Sequence, residues 1–414
     1  MNLDKFRHVV LYASLVVFPL TNIGFKYGFF WVSIPMLFMY FLSVVSVPFL
    51  AKDRWSLVGY GFLVGYFFVG SICRWPPSMV FKPIFAFVLI SMPVIANYRS
   101  VSRDQLFRWL SYGLAVALFA DAFQLLVYMS GAASYSAIFG DFVVTPTIVD
   151  SRFGTMRFKG LFTEPAHQGI YGAFVMFITM FYGVELAKSR WHLWFCAIGA
   201  VFLVLSSMSL SGVALACVVI ALFLVKGGFF RLRSILIFIL VVVGFSCSLT
   251  LPVMQDVVVS RVERLIYSFG VFDLRAAEVS RSHAILITVE YVKETGFIGF
   301  LFGEGYGNFE FWLARAFAGS YTSFANGQIP NLLAALFLGT GAIGVSLFFN
   351  YMLIVLRFLK FRLRVLLILF FFALFFVFGT IVSNIFWGML LVVRIVFDER
   401  KSVMPPHPCH YRLR

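Results

Sequence analysis

Charge is what this chain has least of. Only 12% of its 414 residues are Asp, Glu, Lys or Arg, while 61% are hydrophobic. A water-soluble domain could neither hide that much hydrocarbon nor stay dissolved with so few charges. Cysteine is scarce as well. Cys73, Cys196, Cys217, Cys247 and Cys409 fall into no CxxC or Cys/His spacing, which argues against a disulfide framework or a zinc site. They read as small hydrophobes in or beside apolar runs. The outward segments carry no carboxylate cluster with metal-binding spacing, so neither a metal nor a cofactor is expected. Internal repeats are lacking too, and Asp121 is the notable carboxylate inside an apolar run. A transporter would show repeats and several such groups.

What the chain does have is apolar runs near the ~20 residues that a helix needs to cross a ~30 Å hydrocarbon layer. The alternating ten-residue segments of a β-barrel do not occur. The expected fold is an all-α polytopic membrane protein with about 12 transmembrane helices. They lie at roughly 9–25, 28–50, 55–73, 80–97, 109–130, 168–187, 193–207, 210–225, 234–254, 329–356, 365–379 and 381–397. Met1 to His8 carries Lys5 and Arg7 ahead of the first run with no convincing cleavage site, and reads as leading an uncleaved span.

Charge sets the orientation. With the N-terminus in the cytoplasm, the cytoplasmic segments hold 20 cations and six acids, against 12 cations and 11 acids outside. Asp121 and Arg394 lie within spans and complete the totals of 33 and 18. Every short loop assigned to the cytoplasm is then basic, as the positive-inside rule requires. The net charge of +15 therefore speaks of topology and anionic lipid, with no nucleic-acid partner implied. Both termini face the cytoplasm. Helices 1–5 occupy 1–130, an outward loop 131–167, helices 6–9 168–254, a larger outward loop 255–328, helices 10–12 329–397, and a cytoplasmic tail 398–414. For a bacterium this places the chain in the inner membrane. Arg394, near the end of the last span, is expected to snorkel to the cytoplasmic surface.

The first outward loop gathers unusual polarity: Arg152, Arg157, Lys159, Glu164 and His167 stand within sixteen positions. Outward cations oppose the usual bias, and anionic phosphate would compensate them through guanidinium forks. Solvation or pairing with Asp141 and Asp150 is the plainer account. Glu164 precedes Pro165, a residue favoured at the first position of a helix. Its carboxylate either stabilises that helix start through the dipole or serves as a base or orienting group. His167 is either an interfacial imidazole or a catalytic one. Asp121 and Gln124 share one helix face, and the carboxylate either bonds to another helix or lines a working cavity.

In the second loop, 275–293 reads as a helix. Ala276, Ala277, Ala284, Ile285, Ile287 and Val292 would lie on one face, with Arg281 and His283 as polar members. Gly303, Gly305 and Gly307 with Asn308 then form a loop whose backbone N–H groups could approach a ligand. Without a strand before and a helix after, it is not a dinucleotide fingerprint.

These pieces carry a family resemblance. Arg157 to Pro165 (RFKGLFTEP) resembles the R-x-x-G-x-F-x-E-P signature of bacterial O-antigen and exopolysaccharide polymerases of the Wzy type. Ser209-Leu-Ser211-Gly212 resembles the S-x-S/R-G element that follows it in that family. Leu301 to Phe309 resembles the family's lfG-x-G-x-G-x-f loop, and Asn326 through Gly344 its asparagine followed by a Gly-Ala-Ile-Gly helix. The order of the pieces spans residues 150 to 350; the first 130 residues match only as spans. An Arg-x10-Gly loop spacing of some polymerases is not found.

The resemblance implies a GT-C-like membrane glycosyltransferase for polysaccharide biosynthesis. It would join undecaprenyl-diphosphate-linked oligosaccharides, the raw material of O-antigen (lipopolysaccharide), capsule or exopolysaccharide, on the outer face of the inner membrane. Membrane lipids surround it, and a chain-length regulator protein is a candidate partner. The residues it implicates in catalysis are Glu164, His167, Arg157, Arg281 and His283. Substrate binding would fall to Arg152, Lys159, Gly303, Gly305, Gly307, Asn308 and Asn326. The related O-antigen ligases carry a His-Asn pair where this chain has Phe324-Ala325-Asn326, which favours polymerase over ligase. Ligase and lipid-linked glycan flippase are the alternatives.

Overall fold

Prolines and capping side chains set many of the helix ends. The computed structural model describes residues 2–27, 30–52, 54–98, 100–132, 134–145, 147–150, 155–156, 158–186, 189–227, 283–316, 329, 331–357, 359, 361–375 and 383–397. Helix α1 (Leu3–Val17) starts where the Asn2 side chain accepts the Asp4 N–H, and it stops just before Pro19. The span expected at 9–25 is thus cut short. A hairpin follows, β1 (Gly24–Tyr27) against β2 (Phe30–Ser33), antiparallel with Gly24 opposite Ser33. Only a glycine fits at that pair, because a Cβ on Gly24 would lie 2.2 Å from the Val32 carbonyl oxygen. The helix expected from 28 therefore begins at α2 (Ile34–Ser46), capped by Ser33 and with Pro35 in its first turn.

The remaining helices follow the apolar runs: α3 (Arg54–Ile72), α4 (Pro77–Ser91), α5 (Arg103–Met129), a single turn α6 (Ser136–Phe139), α7 (Pro165–Leu186), α8 (Arg190–Ser206) and α9 (Leu210–Gly227). After the gap come α10 (His283–Phe302), α11 (Phe309–Ala316), α12 (Leu332–Val355), α13 (Phe361–Phe375) and α14 (Asn384–Val396). Two-residue strands β3 (Val149–Asp150) and β4 (Thr155–Met156) pair in the first outward loop. The described residues are mostly helical, consistent with an all-α fold. Three described helices, α3, α5 and α12, are long and apolar enough to cross a membrane. The span expected at 234–254 lies outside the described residues, as does 275–282 of the helix expected at 275–293. From His283 onward that segment is helical, and Ala284 and Ile287 are buried.

Polar contacts collect at two opposite ends of the bundle. At the end where α1 begins, Arg7 is buried, pairs with Asp4 at 2.6 Å, and lies over the Phe49 ring at 3.8 Å. The His8 Nε2 and Asp4 Oδ2 both reach the Ser100 hydroxyl, at 3.0 and 2.9 Å. Arg394 belongs to this end, yet it does not snorkel: only 6% exposed, it donates to the Val94 carbonyl and so joins α14 to the turn after α4. Burial among helices, where a backbone acceptor is at hand, wins over reaching for water. At the other end stand the turn after α1, residues 143–145 and 158–169, the α8–α9 turn, and the loop between α10 and α11.

Candidate functional site

The segment 158–169 is held from three sides. Asp121 and Gln124, neighbours on one face of α5, are 2% and 0% exposed. The Gln124 Oε1 accepts the backbone N–H of Lys159 at 2.9 Å and of Gly160 at 2.8 Å, drawing the loop onto the helix. Gly160 has φ +50°, and a Cβ there would sit 3.0 Å from Asp121 Oδ1 and 3.1 Å from Ala120 Cβ. That position requires glycine both for its backbone and for its space. The Asp121 Oδ2 accepts from Gln168 Nε2 at 2.8 Å and from the Ser206 hydroxyl at 3.3 Å. Gln168 also donates to Ser206 at 3.0 Å, so α5, α7 and α8 meet in one polar triad. Asp121 thus makes the interhelical hydrogen bond and also lines a cleft between α5 and α8.

A second network ties the loop to the end of α1. Thr145 donates its N–H to Asn22 Oδ1 at 2.9 Å, and Asn22 Nδ2 returns a bond to the Thr145 carbonyl at 3.1 Å. The Thr163 N–H donates to the Thr21 hydroxyl at 3.1 Å. Lys159, expected to bind phosphate, is 4% exposed, and its Nζ donates to the carbonyl and the hydroxyl of Thr145 at 2.6 and 2.8 Å. Burial pulls its ammonium down to about 8, against the opposing charge of Glu164. The Tyr135 ring lies 5.7 Å from that ammonium, and its hydroxyl donates to the Gly160 carbonyl at 2.8 Å. In this arrangement Lys159 fastens the loop from within.

Glu164 behaves differently. It is exposed, directly precedes α7, and its carbonyl accepts the N–H of His167 at 3.1 Å. The His167 ring, half-buried, places Nδ1 2.6 Å from the Thr163 hydroxyl. An exposed carboxylate and a fixed imidazole therefore stand one turn apart at a helix N-terminus. Either could take a proton from a hydroxyl. Arg152, Arg157, Arg281 and Asn326 lie outside the described residues. His283 opens α10, and its side chain lies outside them too.

The glycine loop has a structural partner. Helix α12 breaks at Gly341 (φ +63°), which interrupts its hydrogen-bond ladder. The Leu338 carbonyl accepts from Glu304 N–H at 2.7 Å, the Gly339 carbonyl from Gly305 N–H at 2.8 Å, and the Thr340 carbonyl from the Tyr66 hydroxyl at 2.8 Å. Arg74 donates to the Gly303 carbonyl, and the Trp75 indole to that of Glu304 at 2.7 Å. The N–H groups of Glu304 and Gly305 thus serve the broken helix. Gly305 and Gly307 lie against Ser71 and Pro83, where a Cβ would approach to 3.1 and 2.5 Å. Asn308 is buried, 1% exposed.

The residues that reading the sequence did not single out are Gln168, Ser206, Thr145 and Asn22. Gln168 lies three positions past the Arg157–Pro165 motif. Thr145 and Asn22 carried no signal, since their partners are 123 residues apart in the chain. No family model and no curated protein matches the chain.

Proposed function

We propose that this chain is a polytopic membrane glycosyltransferase, a polymerase that joins lipid-diphosphate-linked oligosaccharide repeats on the outer face of the inner membrane. In this reading it has 12 spans and both termini in the cytoplasm. One observation carries it: separated polar segments, 158–169 with the Ser206–Gly212 turn, and 303–308 with Ser71–Trp75, share one end of an apolar helix bundle. Polarity held at such an interface suits a substrate with a hydrocarbon anchor and a hydrophilic head.

The chemistry needs little beyond the chain. A sugar hydroxyl oxygen attacks the anomeric carbon of the donor, and the bond from that carbon to the diphosphate oxygen breaks. Glu164, or His167 beside it, takes the hydroxyl proton. Arg152, Arg157 and Arg281 receive the charge that develops on the departing diphosphate. The leaving group is already activated, which suits a compartment without ATP.

Purified protein with a synthetic lipid-linked repeat unit is expected to yield a ladder of longer glycans, lost in Arg157→Ala with Arg281→Ala. Capping of lipid A core without any ladder would instead indicate a ligase. Thiol reagents applied from outside should label Ser134→Cys and Ser268→Cys but not Ser102→Cys or Ser234→Cys. The reverse pattern would overturn the topology.

A further inference from the structure

A cleft of about 550 Å³ runs along α8 where it packs on α5. Trp191, Trp194, Ile198 and Phe202 wall it, and Asp121 with Phe158 stands at one end. From Trp191 to Phe202 the helix rises ~16 Å, a length that suits one extended hydrocarbon chain. Trp191, Trp194 and Ile198 are 76%, 63% and 66% exposed, on the face that the membrane reading sets against lipid. An apolar cleft of this kind would be ordinary but for its polar end.

That end has acceptors and too few donors. Asp121 Oδ2 is bonded twice, whereas Asp121 Oδ1 and the neighbouring Gln168 Oε1 are buried with no hydrogen-bond partner among the described residues. Buried oxygens without donors are costly, and a native fold rarely leaves them so. Lys159 does not relieve them, because its ammonium is held by Thr145. Gly160 offers no side chain to cover Oδ1.

We propose that Asp121, backed by Gln168, forms the polar end of a binding site, entered from the bilayer through the α5–α8 cleft. Its ligand is a single-chain lipid whose head donates hydrogen bonds and bears no negative charge. An anionic head would meet a carboxylate with no cation in contact among the described residues, in a setting of low dielectric. A hydroxyl or an amine satisfies the carboxylate, while the chain fills the aromatic wall. The inference rests on the membrane reading of α5 and α8 but not on glycan joining.

The test uses the full chain in lipid nanodiscs and three straight-chain photoreactive probes, identical except for a terminal alcohol, amine or carboxylate. The alcohol and the amine should label the α8 wall between Trp194 and Phe202. The carboxylate should label it about ten- to hundred-fold less, the range that one hydrogen bond to a charged group commands. Asp121→Leu should reduce alcohol labelling by a similar factor. Ala122→Trp fills the cleft from an exposed position on α5, clear of the triad, and should block all three probes.

Equal labelling by alcohol and carboxylate would overturn the proposal, as would labelling unchanged in Ala122→Trp, even if Asp121→Leu does not fold. Unlabelled α8 together with disulfide-linked dimers of Trp194→Cys would assign the cleft to a second copy. Protein stripped from native membranes by alkaline carbonate would show that the membrane reading itself had failed. Protein retained there but labelled without regard to head group would overturn the site alone.

Discussion

Gly169 and Gly212 bring α7 and α9 into backbone contact: a Cβ on Gly212 would lie 2.6 Å from the Cα of Gly169 and 2.9 Å from its carbonyl carbon. This contact joins the 158–169 segment to the Ser209–Gly212 element, one residue from the Gln168 that bonds Asp121. Neither obstacle is a flexible side chain, so Gly212→Ala must push the helices apart. Overpacking of this kind costs about 1–3 kcal/mol. The thermal midpoint and glycan-joining activity of Gly212→Ala should both fall. Gly61→Ala in α3, where nothing lies within 4 Å, should be neutral or slightly stabilising.

The break in α12 makes a second glycine decisive. Gly303 has φ +66°, and a Cβ there would sit 2.5 Å from Thr340 N and 2.6 Å from Gly341 N. Gly303→Ala therefore combines ~1–2 kcal/mol for left-handed backbone with a clash against backbone atoms that cannot rotate away. Gly131 is also left-handed, at φ +83°, but faces open space. Thermal unfolding in detergent should show Gly303→Ala much less stable than Gly131→Ala, and equal midpoints would refute this account of the loop.

Lys159 predicts a pH dependence. Its folded-state value of about 8 lies below the ordinary 10.5, so between those values the unfolded chain binds more protons than the native one. Stability then rises with pH across that window, because ∂ΔG/∂pH follows the proton difference. The full effect is on the order of 3 kcal/mol for a shift of this size. Tyr135, which burial pushes upward, opposes it only above about pH 10. Thermal midpoints followed from about pH 7 to 10 should climb in the wild type, and the climb should flatten in Lys159→Met.

Glu164 offers the sharpest separation between structure and chemistry. Exposed at the head of α7, it contributes only ~0.3–1 kcal/mol through the helix dipole. As a general base it would be worth ~10²–10⁴-fold in rate. Glu164→Gln is expected to unfold almost as the wild type does, yet to lose activity within that range. Turnover near the wild-type rate would move the base to His167, where Thr163→Val, by removing the hydroxyl 2.6 Å from Nδ1, should then lower the rate.

Composition and periodicity determined on their own that this chain is helical and made of apolar runs, because burying so much hydrocarbon leaves few alternatives. Local chemistry also settled that α7 starts at Pro165, since proline fits a first helical turn and little else in a helix. Pro19 and Gly24 were equally visible, yet the hairpin that displaces the helix expected from 28 to Ile34 depends on pairing between strands. The tertiary structure alone turned Lys159 inward, because the acceptors that hold it come from Thr145, 14 positions earlier in the chain. It alone revealed that the glycine loop closes a broken helix, since the Leu338 and Gly339 carbonyls lie more than thirty positions away in the chain. Asp121 shows the division most plainly: its spacing from Gln124 placed both on one face, but only the meeting of α5, α7 and α8 decided which oxygen Gln168 and Ser206 bond and which has no partner among the described residues.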